Sequence, residues 1–195
     1  PYTTLFRSTV LAFYEVDDTI DPFRSLIDDP TALPSGVEAQ RENAGDGIRV
    51  YLIVEDGPDA RAQVERATKA VSNLIPPGRK LVWEHLGEMR VGRPHYRSYV
   101  LGPRFLSEKN VSAASAEEGE MGAVQVTLQF DEAGKSAFAD ATRRALGGRI
   151  AILAFGETVS VPTVMSEINS GSAVLGMKPF TGLPEAKRLA AALNR

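Results

Sequence analysis

Residues 124–130, Val-Gln-Val-Thr-Leu-Gln-Phe, alternate apolar and polar without a break. Successive side chains of a strand point to opposite faces, so this pattern demands a strand with one face on a core. Asp131 follows at once, and aspartate is a favoured helix N-cap because its carboxylate accepts from the open N–H groups of the first turn. From Glu132 to Leu146, the residues Ala133, Ala137, Phe138, Ala141, Ala145 and Leu146 read as one apolar helix stripe. Gly147-Gly148 then offers a left-handed stop. A strand, a cap, a helix and a stop in direct succession leave little choice for the neighbouring segments.

The rest of the C-terminal part follows from that unit. Ile150 to Phe155 is continuously apolar and reads as a central strand, and Gly156-Glu157 turns the chain. Thr158 to Val164 alternates again, with Pro162 marking an edge or a bulge, since proline cannot donate to a ladder. Asn169-Ser170-Gly171 is a turn, Ala173–Met177 a short strand, and Pro184–Leu193 a helix with proline in its first turn. The order β-α-β-β-β-α predicts an α+β fold. Its sheet is mixed or antiparallel with helices packed on one face, ferredoxin-like (β-α-β-β) in the C-terminal half.

Upstream the signals are weaker. Val10–Tyr14 reads as a buried strand, and Asp17 to Gly47 as acidic turns with one short helix near Phe23–Ile27. Ile48–Val54 is a strand by its Val, Ile and Tyr content. A helix begins near Pro58, carries Val64, Ala67, Val71, Leu74 and Ile75, and stops at Pro76-Pro77-Gly78. Lys80–His85 and His95–Leu101 read as strands, and Ser112–Gly122 as a loop or domain seam. Residues 1–8 lack the charge pattern and apolar core of a signal peptide and are expected to be a non-native tail on a fragment. The division expected is a 9–110 α+β portion with an inserted helix, then a 111–195 core.

Composition excludes several chemistries. There is no cysteine, which removes thiol catalysis, disulfides and cysteine-ligated metals. The net charge of −3 argues against nucleic acid as a partner. Acids dominate the first 60 residues, whereas bases dominate 61–110, where Trp83, Tyr96 and Tyr99 interleave them. Those bases are expected to pair with the acidic N-terminal third. Gly134-Lys135-Ser136 resembles the end of a phosphate loop, but Gln129 stands where the motif needs glycine. His85 and His95 lack the spacing of a metal pair, and the paired acids Asp17-Asp18, Asp28-Asp29 and Glu117-Glu118 fall in turns. No catalytic, cofactor-binding or metal-ligating residue is predicted, and no cofactor.

A family resemblance runs through the C-terminal part. Val126-Thr127-Leu128-Gln129-Phe130-Asp131-Glu132-Ala133-Gly134, with Phe138 and Thr142, resembles the strand and helix start of the SecD/SecDF protein-export membrane proteins. Gly148–Leu153 and Gly156–Pro162 resemble their next two strands, Ser170-Gly171-Ser172 their turn, and Phe180-Thr181 with Glu185-Ala186 their last helix. Phe155 stands where an acid usually precedes the turn glycine, and residues 55–95 stand as an insertion. The resemblance implies the head of the first periplasmic domain. It implies structural roles for Asp131, Gly134, Gly148, Gly156, Ser160, Pro162, Gly171, Phe180 and Glu185. It further implies a non-enzymatic, extracytoplasmic role in Sec-dependent export. The partners implied are unfolded preprotein and Sec translocon membrane components, and the membrane is reached through segments outside this chain. Contact with a polypeptide needs an apolar patch or a sheet edge rather than a nucleophile. The edge Val159, Val161, Pro162 and Val164 is the expected contact. The alternative is a standalone envelope binding or structural module that keeps the fold without an export role.

Overall fold

The structure is a computed structural model and describes residues 9–44, 47–87, 93–119, 123–177 and 182–195. The chain forms two compact units. One holds the chain up to Glu15 together with Pro103–Arg195, and the other holds Val16–Gly102. The boundaries fall inside two strands, β1 (Leu11–Val16) and β5 (His95–Ser107). Seven pairings between neighbouring strands are antiparallel, and three α-helices accompany them among the described residues, so the fold is α+β.

In the unit carrying the C-terminal part, β1 pairs with β8 (Ile150–Ala154), which is buried along its whole length, and β8 pairs with β9 (Glu157–Ser160). A second sheet has the order β10 (Ser172–Gly176), β7 (Val124–Phe130), β6 (Val111–Glu118). Helices α2 (Glu132–Arg144) and α3 (Leu183–Leu193) bury Phe138, Ala186, Leu189 and Leu193 in the same core as Val126, Leu128, Ile150, Ile152 and Leu175. Phe13 sits at the middle of an aromatic cluster, with ring centroids 5.7 Å from Phe138 and 6.1 Å from both Phe105 and Phe130. Edge-to-face rings of this kind add about 0.5–1.5 kcal/mol per pair beyond their buried area.

In the other unit, β2 (Val37–Ala44) and β3 (Gly47–Glu55) form a hairpin. β3 pairs with β5, and β4 (Lys80–Leu86) pairs with β5 from Lys80↔Leu101 to Leu86↔His95. Helix α1 (Ala60–Ala70) packs Ala60 and Ala67, with Val71 just beyond it, against Leu52, Val54 and Val100.

Several expectations change. The loop expected at 112–122 is strand over its first part: Val111–Glu118 is β6, laddered to β7 with a bulge after Val111, and residues 120–122 lie outside the described residues. Past Val111 the β6 side chains are small or charged and mostly exposed, so backbone pairing rather than an apolar pattern makes it a strand. β2 is hidden in the acidic stretch for the same reason: over residues 37–43 the one buried side chain is Val37. The ferredoxin-like single sheet does not form in the C-terminal half. β7 lies between β6 and β10, whereas β8 finds its partner in the sequence-distant β1. On α2, Ala133 and Leu146 leave the expected stripe for solvent, and the buried face is Gly134, Phe138, Ala141 and Thr142. The stop after this helix is as read, with Gly147 at φ +78°.

Candidate functional site

The motif residues of the C-terminal part frame one unit. Asp131 accepts from the Gly134 N–H at 2.6 Å, which caps α2. Gly134 has a second task. A Cβ there would lie 2.8 Å from the Asn110 carbonyl oxygen, so only glycine lets the 108–110 turn pack on the helix start. Asp131 also donates its own N–H to that Asn110 carbonyl at 2.9 Å. The Gly134-Lys135-Ser136 triplet is therefore a packed helix entry rather than a ligand loop. Gly148 donates to the Ala145 carbonyl and accepts from the Val164 N–H. Ser160 lies opposite Ile152, and the Pro162 carbonyl accepts from the Ile150 N–H. The Gly171 carbonyl accepts from Phe130, and Glu185 opens α3 with its N–H on the Gly182 carbonyl. Phe180 lies outside the described residues.

The expected contact strand divides by side chain. β9 is the terminal strand in the order of its sheet. Val161 and Val164, however, are only 4% and 5% exposed, and Val159 packs partly against the core. Their side chains belong to the interior. The exposed apolar side chains begin directly after them, with Met165 83% and Ile168 37% exposed, and continue at Leu146, 61% exposed.

Two hydrogen bonds bring these residues to one end of α2. The Gly147 N–H donates to the Val164 carbonyl at 2.8 Å, and the Ile168 N–H donates to the Thr142 hydroxyl at 3.0 Å. Buried Thr142 in turn donates to the Phe138 carbonyl at 2.8 Å, so it ties the 164–170 segment to the helix. Arg143 adds a two-point ion pair to Glu167. Sequence pattern misassigned Leu146 to the core because it continues the helical period past the helix end. Met165 and Ile168 lie in irregular backbone, where no period exists to read.

Three bases of the middle pair with acids of the N-terminal third. Arg79 binds Asp17 and Arg97 binds Glu42, each at 2.5 Å, and Arg93 reaches Glu55 at 3.8 Å. Burial pushes the Asp17 carboxyl up, but hydrogen bonds from Thr19 and Arg79 outweigh it and hold the group below the usual carboxylate range. Burial likewise works against the Arg97 charge, and Glu42 more than offsets it. The Arg97 guanidinium stacks 3.9 Å from the Tyr51 ring centroid and 5.1 Å from that of Tyr99. The basic and aromatic residues of this region are thus partly consumed by internal pairing. His85 faces Asp56 at 3.0 Å and His95 faces the Arg93 carbonyl at 2.8 Å. Among the described residues no group of three metal-ligating side chains comes together.

Residues 87–195 match the family model described as SecDF, P1 head subdomain. The chain belongs to this family. The chain is also similar to SecD and SecDF translocase subunits. A SecD of Acidaminococcus fermentans is 37% identical over 86 residues, covering 44% of this chain and 19% of the relative. SecDF of Thermus thermophilus is 31% identical over 94 residues, 48% of this chain and 12% of the relative. A SecD of Rhodothermus marinus is 28% identical over 193 residues, 86% of this chain and 30% of the relative. The chain thus spans less than a third of each relative. A solved structure of SecDF, a membrane component that enhances protein export, aligns over 94% of this chain and 92% of its own. That alignment has a TM-score of 0.45 and 20% identity. No helix among the described residues is long and apolar enough to cross a membrane.

Proposed function

We propose that this chain is the extracytoplasmic head of a Sec export component and that it holds translocating preprotein by contact, without covalent chemistry. Family membership supports the export role. The observation that carries the contact is the exposed apolar set Leu146, Met165 and Ile168, gathered at one end of α2 by the Thr142 and Gly147 hydrogen bonds. Grouped apolar side chains in water mark an interaction surface, whereas scattered ones need no explanation. Such a surface suits an unfolded chain, which offers apolar side chains that a folded protein hides. The Val159–Val164 segment lies beside it, since Met165 follows Val164 directly. Sec translocon components and the membrane are reached through parts of the protein outside this chain.

The test is binding of a permanently unfolded polypeptide (a reduced, carboxymethylated protein) against its folded form, followed by anisotropy. The wild type binds the unfolded form in preference. The double substitution Leu146→Asp with Met165→Asp weakens that binding at least fivefold while leaving the melting temperature within a few degrees. Equal, salt-sensitive binding to both forms overturns the reading.

A further inference from the structure

The small sheet β10-β7-β6 has two edges, and they are treated differently. Residues of an antiparallel pair alternate between those bonded to the partner and those whose N–H and C=O point away from it. On β6, the Gly119 N–H donates to the Ala123 carbonyl. Given the register from Ala113↔Gln129 to Glu118↔Val124, Ala113, Ser115 and Glu117 therefore face β7, and Ala114 points outward. The outward groups of Ala114 are covered, and the remainder of that edge carries the charge of Glu118. The Asn194 side-chain amide accepts from the Ala114 N–H at 2.8 Å and donates to the Ala114 carbonyl at 2.7 Å. Asn194 stands where a neighbouring strand would stand.

The same reading applies to β10. The Met177 N–H donates to Val124 and the Phe130 N–H to Gly171. With the register Ser172↔Gln129 to Gly176↔Gln125, Ala173 and Leu175 face β7, and Ser172, Val174 and Gly176 face outward. The Ser170 hydroxyl takes both groups of Ser172, accepting from its N–H and donating to its carbonyl. Val174 and Gly176 have no such cover among the described residues. Proteins protect sheet edges with charge, proline, bulges or caps. β2 carries Glu38, Arg41 and Glu42, β9 is bulged and runs into Pro162, and β6 has Asn194. β10, Ser-Ala-Val-Leu-Gly, has no charge, proline or bulge, and its cap reaches Ser172 but not Val174 or Gly176 among the described residues.

We propose that β10 receives an extended segment of translocating polypeptide as a fourth strand, paired to the N–H and C=O groups of Val174 and Gly176. The inference rests on the polypeptide-contact reading and specifies how that contact is made. The two residues stand about 6.8 Å apart, the repeat of alternate residues in any extended chain. Only another extended backbone offers donors and acceptors at that spacing. Backbone pairing is indifferent to side-chain sequence, as a component handling many different chains requires. β10 carries no charge to select against either sign. Val174, 60% exposed, favours a β-branched or apolar residue opposite it, and proline at a pairing position of the guest is excluded.

The test substitutes Val174→Pro, which removes the outward N–H without touching a bond to β7, with Val174→Ala as the side-chain control. The probe is the reduced, carboxymethylated polypeptide. Val174→Pro weakens binding at least tenfold and Val174→Ala by less than threefold. On the wild type, amide exchange at Val174 and Gly176 slows at least tenfold when the polypeptide is added, and this readout does not depend on a variant folding. Wild-type binding with unchanged exchange at these amides, or an unaffected, folded Val174→Pro, overturns strand addition and leaves the contact at Leu146 and Met165 standing. Failure of the wild type to bind overturns both. A concentration-dependent dimer that protects the two amides without polypeptide assigns the edge to a second copy and also overturns the proposal.

Discussion

Phe155 and Gly156 turn the chain between β8 and β9 with φ of +50° and +83°. Positive φ at both central residues of a two-residue hairpin is the type I′ geometry, which asparagine and glycine accept easily and a bulky residue does not. Phe155 holds this conformation while its ring lies 4.6 Å beneath the Arg188 guanidinium. A cation over an exposed ring returns only about 0.5–1 kcal/mol, less than the roughly 1–2 kcal/mol that left-handed backbone costs. Phe155→Asn is therefore expected to stabilise the protein by about 0.5–1 kcal/mol, read as a rise in thermal midpoint. At the other unit's Asp17, the sign runs with acid. Its carboxyl is held below the usual value by Thr19 and Arg79, so the stabilisation is complete above about pH 4 and disappears as pH falls through the lowered native value. Asp17→Asn is expected to cost about 1–2 kcal/mol at pH 7 and progressively less as acid takes the pH below the usual carboxylate range, in a series of urea titrations at falling pH.

At the scale of elements, α2 and α3 each meet a neighbouring segment through a contact that sequence pattern alone does not reveal. The start of α2 meets the 108–110 turn at Gly134, where an added Cβ would collide with the Asn110 carbonyl oxygen. Gly134→Ala is expected to cost about 1–3 kcal/mol through overpacking, although alanine is the better helix former. The outcome is read from the denaturant midpoint, and a stabilised variant would overturn the close-approach argument. The end of α3 meets β6 at Asn194. Asn194→Ala removes two exposed hydrogen bonds, worth about 1 kcal/mol together. It is expected to accelerate amide exchange at Ala114 strongly while leaving the exchange of Ser115, which faces β7, little changed.

Across the molecule, stability rests on two separate apolar clusters, one around Phe13, Leu128 and Leu189 and the other around Leu52, Val54 and Val71. Leu128 and Leu52 are both fully buried. Leu128→Ala and Leu52→Ala are each expected to cost about 2–5 kcal/mol, measured as a shift of the urea midpoint of the amides in the respective core. How much of this was legible depends on where the information sits. The strand at 124–130, the Asp131 cap, the Gly147 stop and the buried strand at 150–154 follow from residue order alone, because period, capping chemistry and backbone sterics act within a few residues. The pairing of Arg79 and Arg97 with acids far upstream was foreseeable from charge imbalance, though not the partners. β2 and β6 were not legible: their ladders are satisfied by β3 and β7, and no apolar period marks them. Nor was the burial of Val161 and Val164, the exposure of Leu146, or the covering of Ala114 on one sheet edge by Asn194 while Val174 and Gly176 on the other have no such cover among the described residues. Those are decided by which strands become neighbours, and a backbone N–H carries no mark in the sequence of the side on which its partner will lie.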